Sequence, residues 1–204
     1  VLWTQQTKQF YEAPNVSGAE FESIVLDEAT NSIYVEGTVQ PFADWLPNTG
    51  TVFSETDSIF NDFEWGNRVG TIAKYDLDGN YQWVVTANAT ESYTSSICIY
   101  DNKLYSSVNW VLEQQHGDDY YSLPTGTRGF TICTWDTNGI PLESTLIEST
   151  CSGQHNLNGF DTRVNNMGEI VVTGTFDYGL TFGDHYIYGE GFKMFIAKYG
   201  NPCP

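Results

Sequence analysis

The sequence predicts an all-β protein, a single repeat domain over residues 1–204 made of three four-stranded antiparallel repeats. Three observations predict it. Ile72-Ala73-Lys74-Tyr75-Asp76 returns as Ile132-Cys133-Thr134-Trp135-Asp136 and again as Ile196-Ala197-Lys198-Tyr199-Gly200, with the aromatic positions 60 and then 64 residues apart. A sustained period of this size marks repeated supersecondary units. A polar turn running into a strand keeps step with it, at Asn31 to Thr38, Asn102 to Ser107 and Met167 to Thr175. No segment of useful length carries the 3.6-residue apolar period of a helix.

In chain order, Val1 to Gln6 reads as a strand that matches Tyr81-Gln82-Trp83-Val84-Val85 better than it matches the start of a repeat. Repeat 1 covers about residues 18–87. It opens with Phe21 to Asp27, whose period-two pattern suits a half-buried strand, turns through Glu28 to Ser32, and continues in the β-branched and aromatic run Ile33 to Val39. A variable segment holding Thr51 to Ser54 is expected to supply the next strand, and Thr71 to Asp76 the one after it. The turn Asp76-Leu77-Asp78-Gly79-Asn80 then sends the chain back along Tyr81 to Val85, Asp-Gly being a strong hairpin signal. Repeat 2, about 92–147, repeats this with Asp136-Thr137-Asn138-Gly139 and Ile140 to Ser144. Repeat 3, about 157–200, places Leu180 to Gly183 in the variable strand and has no return strand after Tyr199. The N-terminal strand is the piece the last repeat lacks. An unpaired edge invites pairing, so Val1, Leu2 and Trp3 are expected to complete the third repeat's sheet or that of a neighbouring chain.

The formal net charge is −18, from 26 acidic and 8 basic residues. Such a surface repels phosphate backbones and anionic headgroups, so no nucleic-acid partner is expected. No apolar run reaches the length of a membrane span, and Val1 to Gln6 lacks the basic start and apolar centre of a signal peptide, as in a mature or trimmed product. Cys98, Cys133, Cys151 and Cys203 fit no zinc spacing. Read with the Asn/Thr/Tyr-rich composition they suggest an oxidising, extracellular setting with up to two disulfides in any of three connectivities, of which Cys151–Cys203, pinning the C-terminal tail, is favoured, while Cys98 and Cys133 lie inside strands where Cys also serves as a small apolar residue. The alternative is that the four are buried free thiols.

The run Ile72, Ala73, Lys74, Tyr75, Asp76, Asp78, Gly79, Asn80 and Trp83 resembles the repeat of bacterial extracellular β-propellers of the SBBP type, and Ile196, Ala197, Lys198 and Tyr199 repeat its first half. Thr173-Gly174-Thr175-Phe176 with Thr181-Phe182-Gly183 resembles the middle of that repeat. The resemblance implies a propeller-like array and a secreted or surface-anchored scaffold with binding or adhesive roles. It implies no catalytic residues. The repeats here are longer than the roughly 40–50 residues of a propeller blade, and three is fewer than the usual range of about 4–8 blades.

Asp76, Asp78 and Asn80 put oxygen ligands at alternate positions around Gly79, which is how many calcium loops begin, although the twelfth position is Ala87 rather than glutamate. The same residues also suit a plain hairpin turn. No cofactor is required, and calcium is the one for which the sequence offers a place. Trp45, Trp65, Trp110, Tyr120 and Tyr121 fall in the longer insertions, where exposed rings with nearby amides would grip a glycan, or where the insertions fold over the sheets and bury them. His116 with Asp118 and Asp119, His185 beside Asp184, and His155 read as solvated loop histidines in the absence of a nucleophile motif. Asn15-Val16-Ser17 and Asn88-Ala89-Thr90 fit the N-glycosylation pattern.

The expected function is a non-enzymatic extracellular structural or adhesive protein, a subunit of a cell-surface assembly or filament held by strand complementation. Its partners would be copies of itself or other cell-surface proteins. The alternative is a carbohydrate-binding module or lectin using the aromatic insertions.

Overall fold

The computed structural model describes residues 8–9, 19–39, 50–52, 58–60, 68–149 and 157–200. Among them every regular element is a strand, and the strands form curled antiparallel sheets. Strand β1 (Lys8–Gln9) pairs with β4 (Gly50–Val52), and β4 with β5 (Ser58–Phe60), in a small separate sheet. Strands β2 (Ala19–Asp27), β3 (Ser32–Val39), β6 (Val69–Asp76) and β7 (Tyr81–Thr86) form a first meander in that order. Strands β8 (Asn88–Tyr100), β9 (Lys103–His116), β11 (Arg128–Asp136) and β12 (Pro141–Ser149) form a second, with β10 (Asp119–Ser122) folding back on the far end of β9. Strands β13 (Leu157–Val164), β14 (Ile170–Phe182) and β15 (His185–Tyr199) form a third. Two residue pairs between β12 and β14, Glu148 with Thr181 and Ser149 with Leu180, merge the second and third into one eight-stranded sheet.

The variable segments do not supply the strand expected of them. Gly50–Val52 pairs outside the first meander, and Leu180 to Phe182 is the far half of β14. The neighbour of β3 is β6, in register from Ser32 with Asp76 to Val39 with Val69. Eight paired residues outweigh the three that the insertion could offer, so the return strands complete the meanders.

Turn chemistry fixes the registers. Asp76 Oδ1 accepts the amides of Asp78 and Asn80 at 2.9 and 2.8 Å, Asp136 Oδ1 those of Asn138 and Ile140 at 2.8 Å each, and Asn165 Oδ1 those of Met167 and Glu169 at 2.9 and 3.0 Å. Each of these turns needs a left-handed residue before its last position, met by Gly79, Gly139 and Gly168 at φ 84°, 83° and 80°. Between β8 and β9, Asp101 and Asn102 take φ 48° and 58°, the conformation of a primed two-residue hairpin.

The first strand of each meander carries an irregularity at the same place, between Phe21 and Ser23, Thr94 and Ser96, and Gly159 and Asp161. Below these bulges the ladders align residue by residue. One row reads Ser23–Glu36–Ile72, then Ser96–Ser107–Ile132, then Asp161–Thr173–Ile196. The adjacent row reads Ile24–Val35–Ala73, Ile97–Ser106–Cys133 and Thr162–Val172–Ala197. Period-two alternation sends these rows to opposite faces. One core therefore lies between the first and second meanders, where Tyr34 and Ile72 meet Ile97, Leu104, Trp110 and Trp135. Another lies between the second and third, where Phe130, Ile132 and Ile147 meet Leu157, Val172 and Phe195.

Candidate functional site

Among the described residues, β15 is the longest strand, at fifteen residues, and it has a neighbour on one side only. It pairs with β14 along nearly its whole length, from His185 with Phe182 to Tyr199 with Ile170. Among the described residues no strand pairs with its other edge. Its alternation is clean: Phe195 and Ala197 turn into the second core, while Phe192, Met194 and Ile196 point to solvent. Further along, Tyr186, Ile187 and Tyr188 are exposed as well. A long apolar edge without proline is the template that soluble proteins normally cover. The residues expected to cover it, Val1, Leu2 and Trp3, lie outside the described residues, as do Trp45, Trp65, Cys151, Cys203, His155 and Asn15.

The candidate calcium loop is a hairpin turn. Asp76 spends its Oδ1 on two backbone amides and its Oδ2 on the side-chain amide of Asn80 at 2.8 Å. Those donors, the Asn80 side chain first, hold the Asp76 carboxyl below its ordinary pKa. Asn80 thus turns a donor, not an oxygen, toward the carboxylate, and the described residues hold no cluster of three or more metal-type ligands.

Of the two readings of the aromatic insertions, burial holds for Trp110. Trp110 is wholly buried, and its Nε1–H donates to Thr131 Oγ1 at 2.6 Å. Tyr121, half-buried, stacks one face on it at 6.3 Å between centroids and hydrogen-bonds Ser144 at 3.1 Å. The insertion lies against the sheet because β9 curls over the first core. Tyr120, its neighbour on β10, points the other way and is exposed.

Cys98 and Cys133 are free thiols, not a bridge. Strand β9 lies between them, with Cys98 opposite Tyr105 and Cys133 opposite Ser106, consecutive residues that face opposite sides. Two strand spacings, about 9–10 Å, exceed disulfide reach. Burial pushes Cys98 up to about 11 and Cys133 higher still.

Of the histidines, His116 is buried rather than solvated. Its Nε2–H donates to the Thr134 carbonyl at 2.8 Å, and its ring stands edge-on to Trp135 at 4.5 Å. Burial lowers its pKa. Asp119, the adjacent carboxylate, accepts the Ser144 amide and hydroxyl at 3.0 and 2.7 Å, so no histidine–carboxylate pair forms. His185 sits exposed where β15 begins.

Two features escape a reading of sequence alone. Glu36 is fully buried between the first two meanders, accepting one bond from the Ser106 hydroxyl while its Oε2 has no partner. Burial raises its carboxyl well above the ordinary value. Its signal was positional: Glu36 occupies the row where the other repeats have Ser107 and Thr173. Arg68 and Arg128, two of the chain's three arginines, converge with Glu91, Tyr93 and Asn109 on a cleft of about 190 Å³ at the ends of β8, β9 and β11. They come from different meanders, so only the fold unites them.

No protein-family model matches the chain, and no curated protein matches it.

Proposed function

We propose that the chain is a non-enzymatic extracellular scaffold, structural or adhesive, whose three meanders are blades of a propeller-like array of the SBBP type. The third blade is completed by Val1 to Gln6 of the same or a neighbouring chain. The observation that carries this reading is strand β15, fifteen residues long, paired on one side among the described residues and lined with exposed apolar side chains. A strand added there would satisfy a row of main-chain groups and cover apolar surface together, which is how strand addition derives its affinity. A cell-surface assembly linked in this way uses backbone ladders, which resist the salt that screens its −18 charge. The carbohydrate-binding alternative keeps only Tyr120 as an exposed ring among the described residues it invoked.

The test is hydrogen exchange on the β15 amides in the intact chain and in one lacking residues 1–6. Protection along the outer edge that disappears on truncation supports strand complementation. Equal exchange in both contradicts it, and turnover of a glycan panel would contradict the non-enzymatic reading.

A further inference from the structure

Beyond the scaffold reading, and whatever strand completes β15, we propose that the cleft bearing Arg68 and Arg128 binds a small organic carboxylate between the two guanidiniums.

In a chain with 26 acidic and 8 basic residues, a cation readily finds a carboxylate, and three do: Lys103 pairs with Glu143, Arg163 with Asp161 and Lys198 with Glu169. Among the described residues Arg68 and Arg128 enter no ion pair, although Glu91 lines the same cleft. The sheet explains why. Glu91 on β8 and Arg128 on β11 both stand opposite Val111 of the strand between them. Their backbones are therefore two strand spacings apart, about 9–10 Å, with the Val111 side chain in the middle of the row. The fold thus gathers two like charges and leaves both without a carboxylate partner.

The walls are held by hydrogen bonds and packing from all three meanders. The Ser92 amide donates to the Arg68 carbonyl at 2.8 Å and the Gly70 amide to Ser92 Oγ at 3.0 Å, which ties the start of β6 to β8. The Arg128 guanidinium lies beside the Tyr93 hydroxyl, and that hydroxyl donates to Asn158 Oδ1 of the third meander. Next to Arg128, a Cβ on Gly129 would stand 2.4 Å from the Trp110 ring, so β11 and that ring are closely packed. Asn109, buried in the lining, accepts the Gly159 amide at 2.7 Å and donates to the Gly159 carbonyl at 3.1 Å. A site already ordered in this way loses little freedom when a ligand enters.

Charge and size set the class of ligand. Two guanidiniums and one carboxylate leave a single positive charge, which matches a monoanion. The planar fork of arginine fits a planar carboxylate with two parallel hydrogen bonds. Val111 offers an apolar wall to the carbon body of the acid, and Tyr93 and Asn109 are polar neighbours for its hydroxyls. The volume of about 190 Å³ falls below the range of about 300–1,000 Å³ typical of drug-sized ligands, so the acid is small. The net charge of −18 repels a polyanion, so a lone acid is favoured over a chain of them.

The chain has three arginines, so its Nε–Hε spectrum holds three signals, which Arg68→Gln, Arg128→Gln and Arg163→Gln assign. The test is a titration of the intact chain at low ionic strength with lactate, with D-glucuronate as the larger acid and lactamide as the uncharged control. We expect lactate to shift the Arg68 and Arg128 signals together and saturably, with a Kd of about 1 mM or tighter, and to leave Arg163 in place. Glucuronate that binds as well extends the class to uronic acids, and glucuronate that does not confines it to short acids; lactamide should do nothing. Losing either cleft arginine should weaken lactate about tenfold or more, since each removes charge-assisted bonds, and Glu91→Gln should tighten it. Far-UV circular dichroism checks that each variant folds, and Arg68→Gln alters an exposed side chain. Shifts that never saturate, that move Arg163 equally or that lactamide reproduces would overturn the proposal, as would cleft variants that bind like the parent. None of these results bears on strand addition at β15.

Discussion

Replacing Glu36 by Gln tests the packing of the first two meanders through pH. The carboxyl is enclosed, receives one hydrogen bond from Ser106, and lies near Glu22, so burial first and Glu22 after it favour the protonated form. In the unfolded chain the same group ionises near its ordinary value of 4.5. Above that pH the unfolded state has released a proton that the folded state still holds, so stability is complete below the unfolded pKa and declines as pH rises toward the folded one. The linkage slope is about −1.4 kcal/mol per pH unit. For a chain of this length that is about 3–6 °C of melting temperature per unit. Gln keeps an acceptor for Ser106 and cannot ionise. Any cost of its unpaired amide hydrogens offsets the whole curve without tilting it. The lowered pKa of His116 tilts stability the other way, losing it as pH falls through the histidine range, but it is common to both proteins and cancels in their difference. Urea unfolding of both proteins at half-unit steps upward from pH 4.5 should therefore show Glu36→Gln gaining on the parent by about 1.4 kcal/mol per unit until the folded carboxyl titrates. Parallel curves would refute a buried, protonated Glu36.

Other expectations follow from equivalent positions. Ile72→Ala should cost about 2–5 kcal/mol in urea unfolding, whereas Ile196→Ala, the same place in the repeat but exposed, should change stability by less than about 0.5 kcal/mol. Gly159→Ala would put a methyl 2.0 Å from the buried Phe130 ring, so it should destabilise by about 1–3 kcal/mol in the same assay. Cys98 and Cys133 should resist alkylation at pH 8 in the native protein and react after unfolding, as read by peptide mapping. Asp76→Ala should lower the urea midpoint, because the turn amides of Asp78 and Asn80 lose their acceptor, and calcium should leave the melting temperatures of both proteins unchanged.

The β class and the turns were legible because they are local properties: alternation reports a half-buried strand, and an Asp or Asn three residues before glycine reports these hairpins wherever they stand. The repeated Ile-Ala-Lys-Tyr strand was legible for the same reason, since its positions recur. What could not be read is which face each repeat turns toward which neighbour. Ile72 and Ile196 look alike in sequence and differ in burial because another meander follows the first and none among the described residues follows the third. Whether Trp110 is exposed or buried stayed open because an aromatic in an insertion gives no sign that its strand packs back onto the core; it is buried. His116 was misplaced as a solvated loop residue, since its partner carbonyl, Thr134, is 18 residues away. Pairing of Cys98 with Cys133 stayed open because their spacing does not reveal the strand between them.

The central claim is that a strand, Val1 to Gln6 of the same or a neighbouring chain, completes the open edge of β15. The most direct measurement is amide hydrogen exchange along His185–Tyr199 for the intact chain and for one lacking Val1 to Gln6, with the solution mass of each telling the two sources of the strand apart. The account predicts outer-edge protection in the intact chain that disappears on truncation. Equal exchange in both proteins would contradict it.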